Sequence, residues 1–549
     1  MSLAPSFKNR GLLLLLLCLA VVWFSNLQYR KLVRPDEGRY AEIPREMTVS
    51  GNWITPRLDG LKYFEKPPLQ YWATAAAYQV FGQYQWSARL WGGLTGFFGI
   101  LLIYFTGRKL FGHDAGFYAA LVLGSSLLYV LIGHINTLDM GVTFFMSLSL
   151  VGFLLAQRDG ADPRETARWM YTAWAATALA VLSKGLIGIV LPGVALVIYT
   201  LIQRDWALWK RLHLGGGLLL FLAIAAPWFV AVSLRNPDFF HFFFVYQHFD
   251  RFLTKDLHRY HPWWYFVPIL VTGVLPWLVQ TADGLLHGWE KGNGRRFYPK
   301  RFLLVWAVSI YVFFSISDSK LPSYILPIFP AFALLMGERL TRVSGKTLFW
   351  QTLPMALLAA AALVLSPFVV RLASPEVPLP LYEKYRVWLM IAAVLWLGGM
   401  LTTLALSYRG RIKPALIVLA MTGLICGQLV ITGHDSLSPA SSSYAIAQRI
   451  KPYLKPGVPF YSVGMYPQTL PFYIKRTVTL VAYRGELAFG IRHAPHQWLP
   501  TVADFETTWR RAPYALAIMQ PDTYNQLKQE GLSMVKIAQD TRRVVVKTP

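Results

Sequence analysis

Two adjacent carboxylates, Asp36 and Glu37, follow Arg34-Pro35 just beyond the first apolar run of the chain. Such a pair can act as a base, bind a cation or orient a positively charged substrate group. It can equally begin a solvated helix, where acidic residues favour the helix dipole. The pair opens the run Asp36-Glu37-Gly38-Arg39-Tyr40-Ala41-Glu42, in a segment that ends Tyr63-Phe64-Glu65-Lys66-Pro67-Pro68. Residues 30–66 hold eight Lys/Arg and six Asp/Glu, whereas 15% of the whole chain is charged. Tyr40, Ile43, Trp53, Ile54, Tyr63 and Phe64 are spaced as anchors of short amphipathic helices lying on a bilayer. Charge beside aromatic anchors at a membrane face suits a lipid-phosphate substrate.

Other residues offer compatible chemistry. Asp139, in Asn136-Thr137-Leu138-Asp139, is closely flanked by apolar sequence. A carboxylate there is costly unless paired or functional, and capping the next helix is its structural alternative. Lys66 is a compact charge suited to a phosphate, and Glu65 can pair with it or ligate a cation. The segment Tyr246–Tyr265 supplies Arg251 and Arg259, whose guanidinium forks bind phosphate bidentately, with His248, His258 and His261. The histidine spacings match no standard zinc pattern. Trp263, Trp264 and Tyr265 read as an interfacial belt. Lys320 and Tyr324 could reach a phosphate from another loop, or Lys320 could snorkel at a polar turn; Ser183-Lys184-Gly185 is a weaker case of the same kind.

The elements that must position these residues are mostly membrane helices. The chain is 55% hydrophobic and 15% aromatic. About 20 apolar residues cross ~30 Å of hydrocarbon. Thirteen candidate spans lie near residues 11–28, 87–107, 114–133, 141–156, 169–182, 185–202, 213–233, 263–282, 302–317, 321–337, 349–370, 387–407 and 414–432. Their continuous rather than alternating apolar character favours helices over a barrel. No small-x-small site follows the first run, so it reads as a span and not a cleaved signal. With the N-terminus cytoplasmic, every inside loop is short and rich in Lys/Arg, and residues after 433 lie outside. Cys18 and Cys426 both fall within candidate spans, which supports neither a disulfide framework nor a thiolate metal site. The formal charge of +25 is partly the inside-loop bias. The basic outer segments predict an anionic partner at the outer leaflet, where nucleic acid has no place.

Two domains are expected: a membrane domain over 1–433, including an amphipathic outer loop at 30–86, and an α/β domain over 434–549. The latter carries fourteen Lys/Arg against seven Asp/Glu. Pro459–Val463, Val478–Val481, Tyr514–Met519 and Val544–Val546 read as strands. Asp504–Arg511 and Asp522–Glu530 read as helices, the first with Thr501 as its N-cap.

The run Asp36–Met47, with Gly51-Asn52-Trp53-Ile54, Pro56-Arg57-Leu58 and Tyr63-Phe64-Glu65-Lys66-Pro67, resembles the aminoarabinose transferases of Gram-negative bacteria. These are membrane glycosyltransferases of the GT-C class, related to protein O-mannosyltransferases. His248-Phe249, His261-Pro262-Trp263-Trp264-Tyr265 and Ser317–Pro327 look like the same family. The resemblance is dense over the first outer loop, patchy to about residue 340 and weak beyond. It implies a polytopic all-α domain of about 13 transmembrane helices followed by a periplasmic α/β domain, in the bacterial inner membrane.

It also implies a reaction. An inverting transfer would move 4-amino-4-deoxy-L-arabinose from undecaprenyl phosphate to a lipid A phosphate, reducing negative charge and giving resistance to cationic peptides such as polymyxin. By similarity Asp36 is the leading catalytic carboxylate and Asp139 a second. Lys66, Arg251 and Tyr324, with Lys320, would serve the donor phosphate, and Glu65 with His248 a divalent metal such as zinc. Glu37, Arg39, Arg259 and His261 are further candidates. No obligate protein partner is evident. The rivals are a GT-C enzyme with another lipid-phosphate donor or a protein acceptor, and a flippase for lipid-linked sugars. Against the flippase, the candidates gather on one face rather than at a midplane site open to both sides.

Overall fold

The computed structural model describes residues 17–250, 261–290 and 297–549. Among them, eight helices are long and apolar enough to cross a membrane. They are Gln85–Phe111, Leu138–Gln157, Leu214–Arg235, Pro299–Ile316, Pro322–Leu340, Gly345–Leu372, Leu379–Tyr408 and Ile412–Ser441. Two further apolar pairs are sharply bent, His113–Ser125 with Leu127–Gly133 by 64° and Trp263–Gly273 with Leu278–Leu286 by 115°. Counting each pair as one span gives ten, fewer than the thirteen expected. Of the other three, Pro163–Lys184 is helical but rich in charge at its start, Ile187–Gln203 is shorter, and the first lies partly outside the described residues.

Packing divides the chain into two units. The first comprises Met1–Leu27, Leu90–Ser366 and Met390–Ile431, and the second Gln28–Arg89, Pro367–Leu389 and Thr432–Pro549. The 30–86 segment therefore groups with the C-terminal residues rather than with the membrane helices.

Within the first unit, Leu138–Gln157 packs against Pro163–Lys184. The latter begins with Asp162 accepting from the Glu165 N–H and Pro163 in the first turn, a strong start signal. Ser149 and Thr177 share a buried hydrogen bond between the two helices at 2.7 Å, the kind of polar link that membrane helices use in place of a hydrophobic driving force.

The second unit contains the α/β fold expected after residue 434. Strands β1 (Arg57–Leu58) and β2 (Leu61–Lys62) form an antiparallel hairpin. The remaining strands are β3 (Phe460–Val463), β4 (Thr479–Val481), β5 (Trp498–Leu499), β6 (Leu516–Met519), β7 (Val535–Gln539) and β8 (Val544–Lys547). They form one sheet ordered β5-β4-β3-β6-β8-β7. β5, β4, β3 and β6 run parallel, while β8 pairs antiparallel with β6 and β7. Helix Val502–Arg511 starts at a capping box formed by Thr501 and Asp504 and buries Phe505 and Trp509 against the sheet. Strands β5 and β7 escape sequence reading: β5 has two residues, and the β7 burial pattern lacks a clean alternation.

The 36–66 segment is a compact part of this unit. Helix Asp36–Ser50 has both acids in its first turn and ends at Gly51, whose φ of +69° forms a left-handed cap on the Met47 carbonyl. Residues Glu37 to Met47 are all buried. Tyr40, Ile43, Tyr63 and Phe64, expected as bilayer anchors, are core residues at most 6% exposed. The alternation of charge and aromatics mimicked a surface helix because the buried charges find partners within the unit.

Candidate active site

Asp36 and Glu37 diverge despite being neighbours. The Glu37 side chain is 1% exposed, and its two oxygens receive Arg89 Nε at 2.7 Å and Nη2 at 2.9 Å. The Val33 N–H adds a bond at 2.9 Å, and Arg30 lies at 3.5 Å. Burial pulls the Arg30 guanidinium down to about 10 although Glu37 opposes the shift. Glu37 is thus the centre of a buried ion-pair network. The Asp36 side chain is 41% exposed, with Arg39 Nη2 at 3.8 Å. Of the pair, Asp36 is the one open to a substrate.

Arg39 organises the surrounding polar groups. Its Nη1 donates to the Tyr63 hydroxyl at 3.0 Å, which in turn donates to Glu65 Oε2 at 3.0 Å. Glu65 stands 3.9 Å from Arg39, and Glu486 stands 3.7 Å away on another side. Burial opposes the Arg39 charge, but its tyrosine and carboxylate neighbours hold its pKa well above the ordinary value. Burial would likewise raise the Glu486 carboxyl, yet Arg39 and hydrogen bonds from Gln468 and Tyr483 hold it below the usual range. Lys66 is half-buried immediately before helix Leu69–Phe81.

A second polar network holds the later turns of helix Asp36–Ser50. Glu42 receives Arg45 through both oxygens, at 2.5 and 2.7 Å. Glu46 accepts the N–H groups of Asp59 and Gly60 at 2.6 and 2.9 Å. These are the two turn residues of the β1–β2 hairpin, with φ of +57° and +77°, the Asp-Gly arrangement favoured by tight hairpins. Asp59 Oδ1 accepts the Val478 N–H at 2.7 Å, and burial pushes its carboxyl up to about 8.

In the first unit, Asp139 forms an ion pair with Lys184, whose ammonium also lies 4.4 Å from the Tyr324 ring centre. The sequence made Lys184 a minor candidate, yet it joins two of the main ones. Lys320 is buried and donates to the His261 carbonyl at 2.9 Å and the Ser317 carbonyl at 2.5 Å. That geometry ties two loops together. The His261 ring stacks on Tyr265 at 4.1 Å. Arg251 and Arg259 lie outside the described residues, as does the side chain of His248. Among the described residues no group of three His, Cys, Asp or Glu is placed to hold a metal ion. Glu65, the expected ligand, accepts from the Tyr63 hydroxyl and lies 3.9 Å from Arg39.

Arg30, Arg89 and Glu486 were not singled out from the sequence. The first two could have been suspected as charges beside apolar runs. Nothing local marks Glu486.

A crystal structure of ArnT from Cupriavidus metallidurans bound to undecaprenyl phosphate is similar to this chain at 41% identity and a TM-score of 0.93, covering 98% of both chains. A curated undecaprenyl phosphate-alpha-4-amino-4-deoxy-L-arabinose arabinosyl transferase from Erwinia tasmaniensis is 30% identical over 501 residues, 88% of each chain. The chain belongs to this arabinosyl transferase family. A Proteus mirabilis member is 31% identical over 418 residues, 73% of this chain and 72% of its own length. The family model described as aminoarabinose transferase C-terminal domain matches residues 446–548, and the one described as dolichyl-phosphate-mannose-protein mannosyltransferase matches 65–230. The expected class is therefore correct: a polytopic GT-C glycosyltransferase with a C-terminal α/β region.

Proposed function

We propose that this multi-pass membrane enzyme transfers 4-amino-4-deoxy-L-arabinose from undecaprenyl phosphate to a lipid A phosphate at the periplasmic face of the inner membrane. The observation that carries the reading is the near-complete match to an arabinosyl transferase structure holding undecaprenyl phosphate. The N-terminus is then cytoplasmic and the C-terminal region periplasmic, in keeping with the short basic loops on the opposite side.

An oxygen of the acceptor phosphate attacks C1 of the sugar. The bond from C1 to the donor phosphate breaks, and undecaprenyl phosphate leaves with the electron pair. A phosphate monoester has a second pKa near ~6, so it is already a nucleophile at neutral pH and needs little help from a base. Asp36 is assigned the positioning of the acceptor and stabilisation of positive charge growing on the sugar ring. Asp139, paired with Lys184, is assigned as a second catalytic carboxylate. Lys66, Arg251 and Tyr324 are assigned to the leaving phosphate, whose charge they stabilise as it develops. Direct displacement inverts the anomeric centre, since no second carboxylate is assigned a covalent role. The product gains an ammonium group and loses phosphate charge, which weakens attraction to cationic peptides.

A divalent metal at Glu65 and His248 is a separate proposal, and no step above depends on it. Metal analysis of purified protein beside Glu65→Gln tests it: metal at near-stoichiometric level, lost in the variant, supports the site, and its absence in wild type refutes it.

Mass analysis of lipid A after incubating purified protein with undecaprenyl-phosphate aminoarabinose tests the function. Addition by wild type and loss in folded Asp36→Asn supports the reading. Transport without transfer would favour the flippase; transfer only to another acceptor would favour a related GT-C enzyme.

A further inference from the structure

Gly38 lies on the buried side of helix Asp36–Ser50, between Asp36 and Arg39. A Cβ there would fall 2.6 Å from the carbonyl carbon and oxygen of Gln468 and 2.7 Å from the Thr469 nitrogen. Backbone meets backbone, so any L side chain at 38 must push the helix and the 468–469 segment apart. Thr469 is itself fixed, since its Oγ1 accepts the Ser443 N–H at 2.8 Å. The helix that begins at Asp36 is thus seated against the C-terminal region at the turn that matters for chemistry.

The Gln468 side chain extends this contact. Its amide donates to Glu486 Oε1 at 3.1 Å, while the Tyr483 hydroxyl donates to Oε2 at 3.0 Å. Both bonds set the direction of the Glu486 carboxylate. Glu486 Oε1 then stands 3.7 Å from Arg39 Nη2, the same nitrogen that lies 3.8 Å from Asp36 Oδ1. One guanidinium nitrogen is therefore shared between two carboxylates. Its other nitrogen is held by the Tyr63 hydroxyl, and its side chain is only 8% exposed. Arg39 has little freedom to compensate if either carboxylate moves.

We propose that the 468–469 segment positions Asp36 for transfer, with Gln468 as the positioning residue acting through Glu486 and Arg39. All these residues belong to one packed unit. The inference rests on the assignment of Asp36 to the transfer reaction and gives the C-terminal region a part in it. Without the Gln468 amide, Glu486 Oε1 loses the bond that fixes it beside Arg39 Nη2, and the balance of charge that Nη2 shares with Asp36 changes. The acceptor-facing carboxylate then loses part of its guidance from Arg39. Misplacement of about 1 Å in a reacting geometry costs on the order of 100-fold in rate.

The test compares wild type, Gln468→Ala, the isosteric Gln468→Glu and the exposed control Lys528→Ala in kcat, donor KM and unfolding temperature. The expected result for Gln468→Ala is a kcat lower by about 10- to 100-fold, with donor KM and unfolding temperature close to wild type. Gln468→Glu sets two carboxylates against each other and lowers kcat at least as far; Lys528→Ala matches wild type. Wild-type kcat in both Gln468 variants overturns the proposal. So does a rise in KM alone, or a kcat loss matched by a fall in unfolding temperature. An inactive wild type would instead refute the transfer reading.

Discussion

Replacing Glu37 by Gln and Asp36 by Asn should separate stability from catalysis at two consecutive residues. Glu37 is 1% exposed and its partner Arg89 is wholly buried, joined by two short bonds. Neutralising Glu37 leaves the buried charges of Arg89 and Arg30 without their carboxylate, and the new amide NH₂ turns donors toward donors. Breaking one partner of a buried pair costs about 3–5 kcal/mol. In a unit of about 200 residues, each kcal/mol shifts the unfolding temperature by about 2–4 °C, so the expected fall is roughly 6–20 °C. Asp36 differs: its ion pair is long and its side chain 41% exposed, a geometry worth below about 1 kcal/mol. Asp36→Asn should unfold at the wild-type temperature yet transfer no sugar. The assays are thermal unfolding in detergent and mass analysis of lipid A on the same preparations. Adding Arg89→Leu to Glu37→Leu should recover part of the lost stability, because removing both partners spares the unpaired charge. Glu37→Gln with unchanged unfolding temperature would refute the reasoning, as would Asp36→Asn that is unstable but active when folded.

Asp59 gives a pH signature. Its folded carboxyl is raised to about 8, so its contribution to stability is present below the ordinary carboxylate range and lost as pH rises through about 8. The wild-type unfolding temperature should fall between pH 5 and 8.5, at most about 1.4 kcal/mol per pH unit from this group. Asp59→Asn keeps the acceptor for Val478 and should flatten the profile, as calorimetry across that window would record. Lys320→Met removes two charge-assisted bonds to carbonyls, each worth about 1.5–3 kcal/mol; unfolding temperature should drop while donor KM holds. Asp139→Asn removes the carboxylate paired with Lys184; the unfolding temperature should fall, and Lys184→Met in that background should recover part of it without restoring transfer.

The first outer segment shows how far sequence reading reaches. Its motif identified the family and singled out Asp36, yet the same residues misled on placement. Tyr40, Ile43, Tyr63 and Phe64 have the spacing of surface anchors, but the unit buries them. A lone lysine beside a span is ordinarily exposed, but packing buries Lys320 against two carbonyls. Strand β5 was missed because two residues carry no periodicity, whereas Thr501 and its helix were legible from a capping pattern three residues long.

Hydropathy, helix caps and most strand runs are sums over neighbouring residues, and the sequence alone made these legible. It determined an apolar helical chain, a C-terminal α/β region and a charged segment carrying the arabinosyl transferase motif. The tertiary structure decided which charges meet. Glu37 finds Arg89 across 52 positions, and Arg39 finds Glu486 from the opposite end of the chain. Whether a carboxylate is a buried ion-pair centre or is open to substrate depends on desolvation and on its nearest opposite charge. Both are properties of packing in three dimensions, so two adjacent acids with the same local sequence came to have different surroundings.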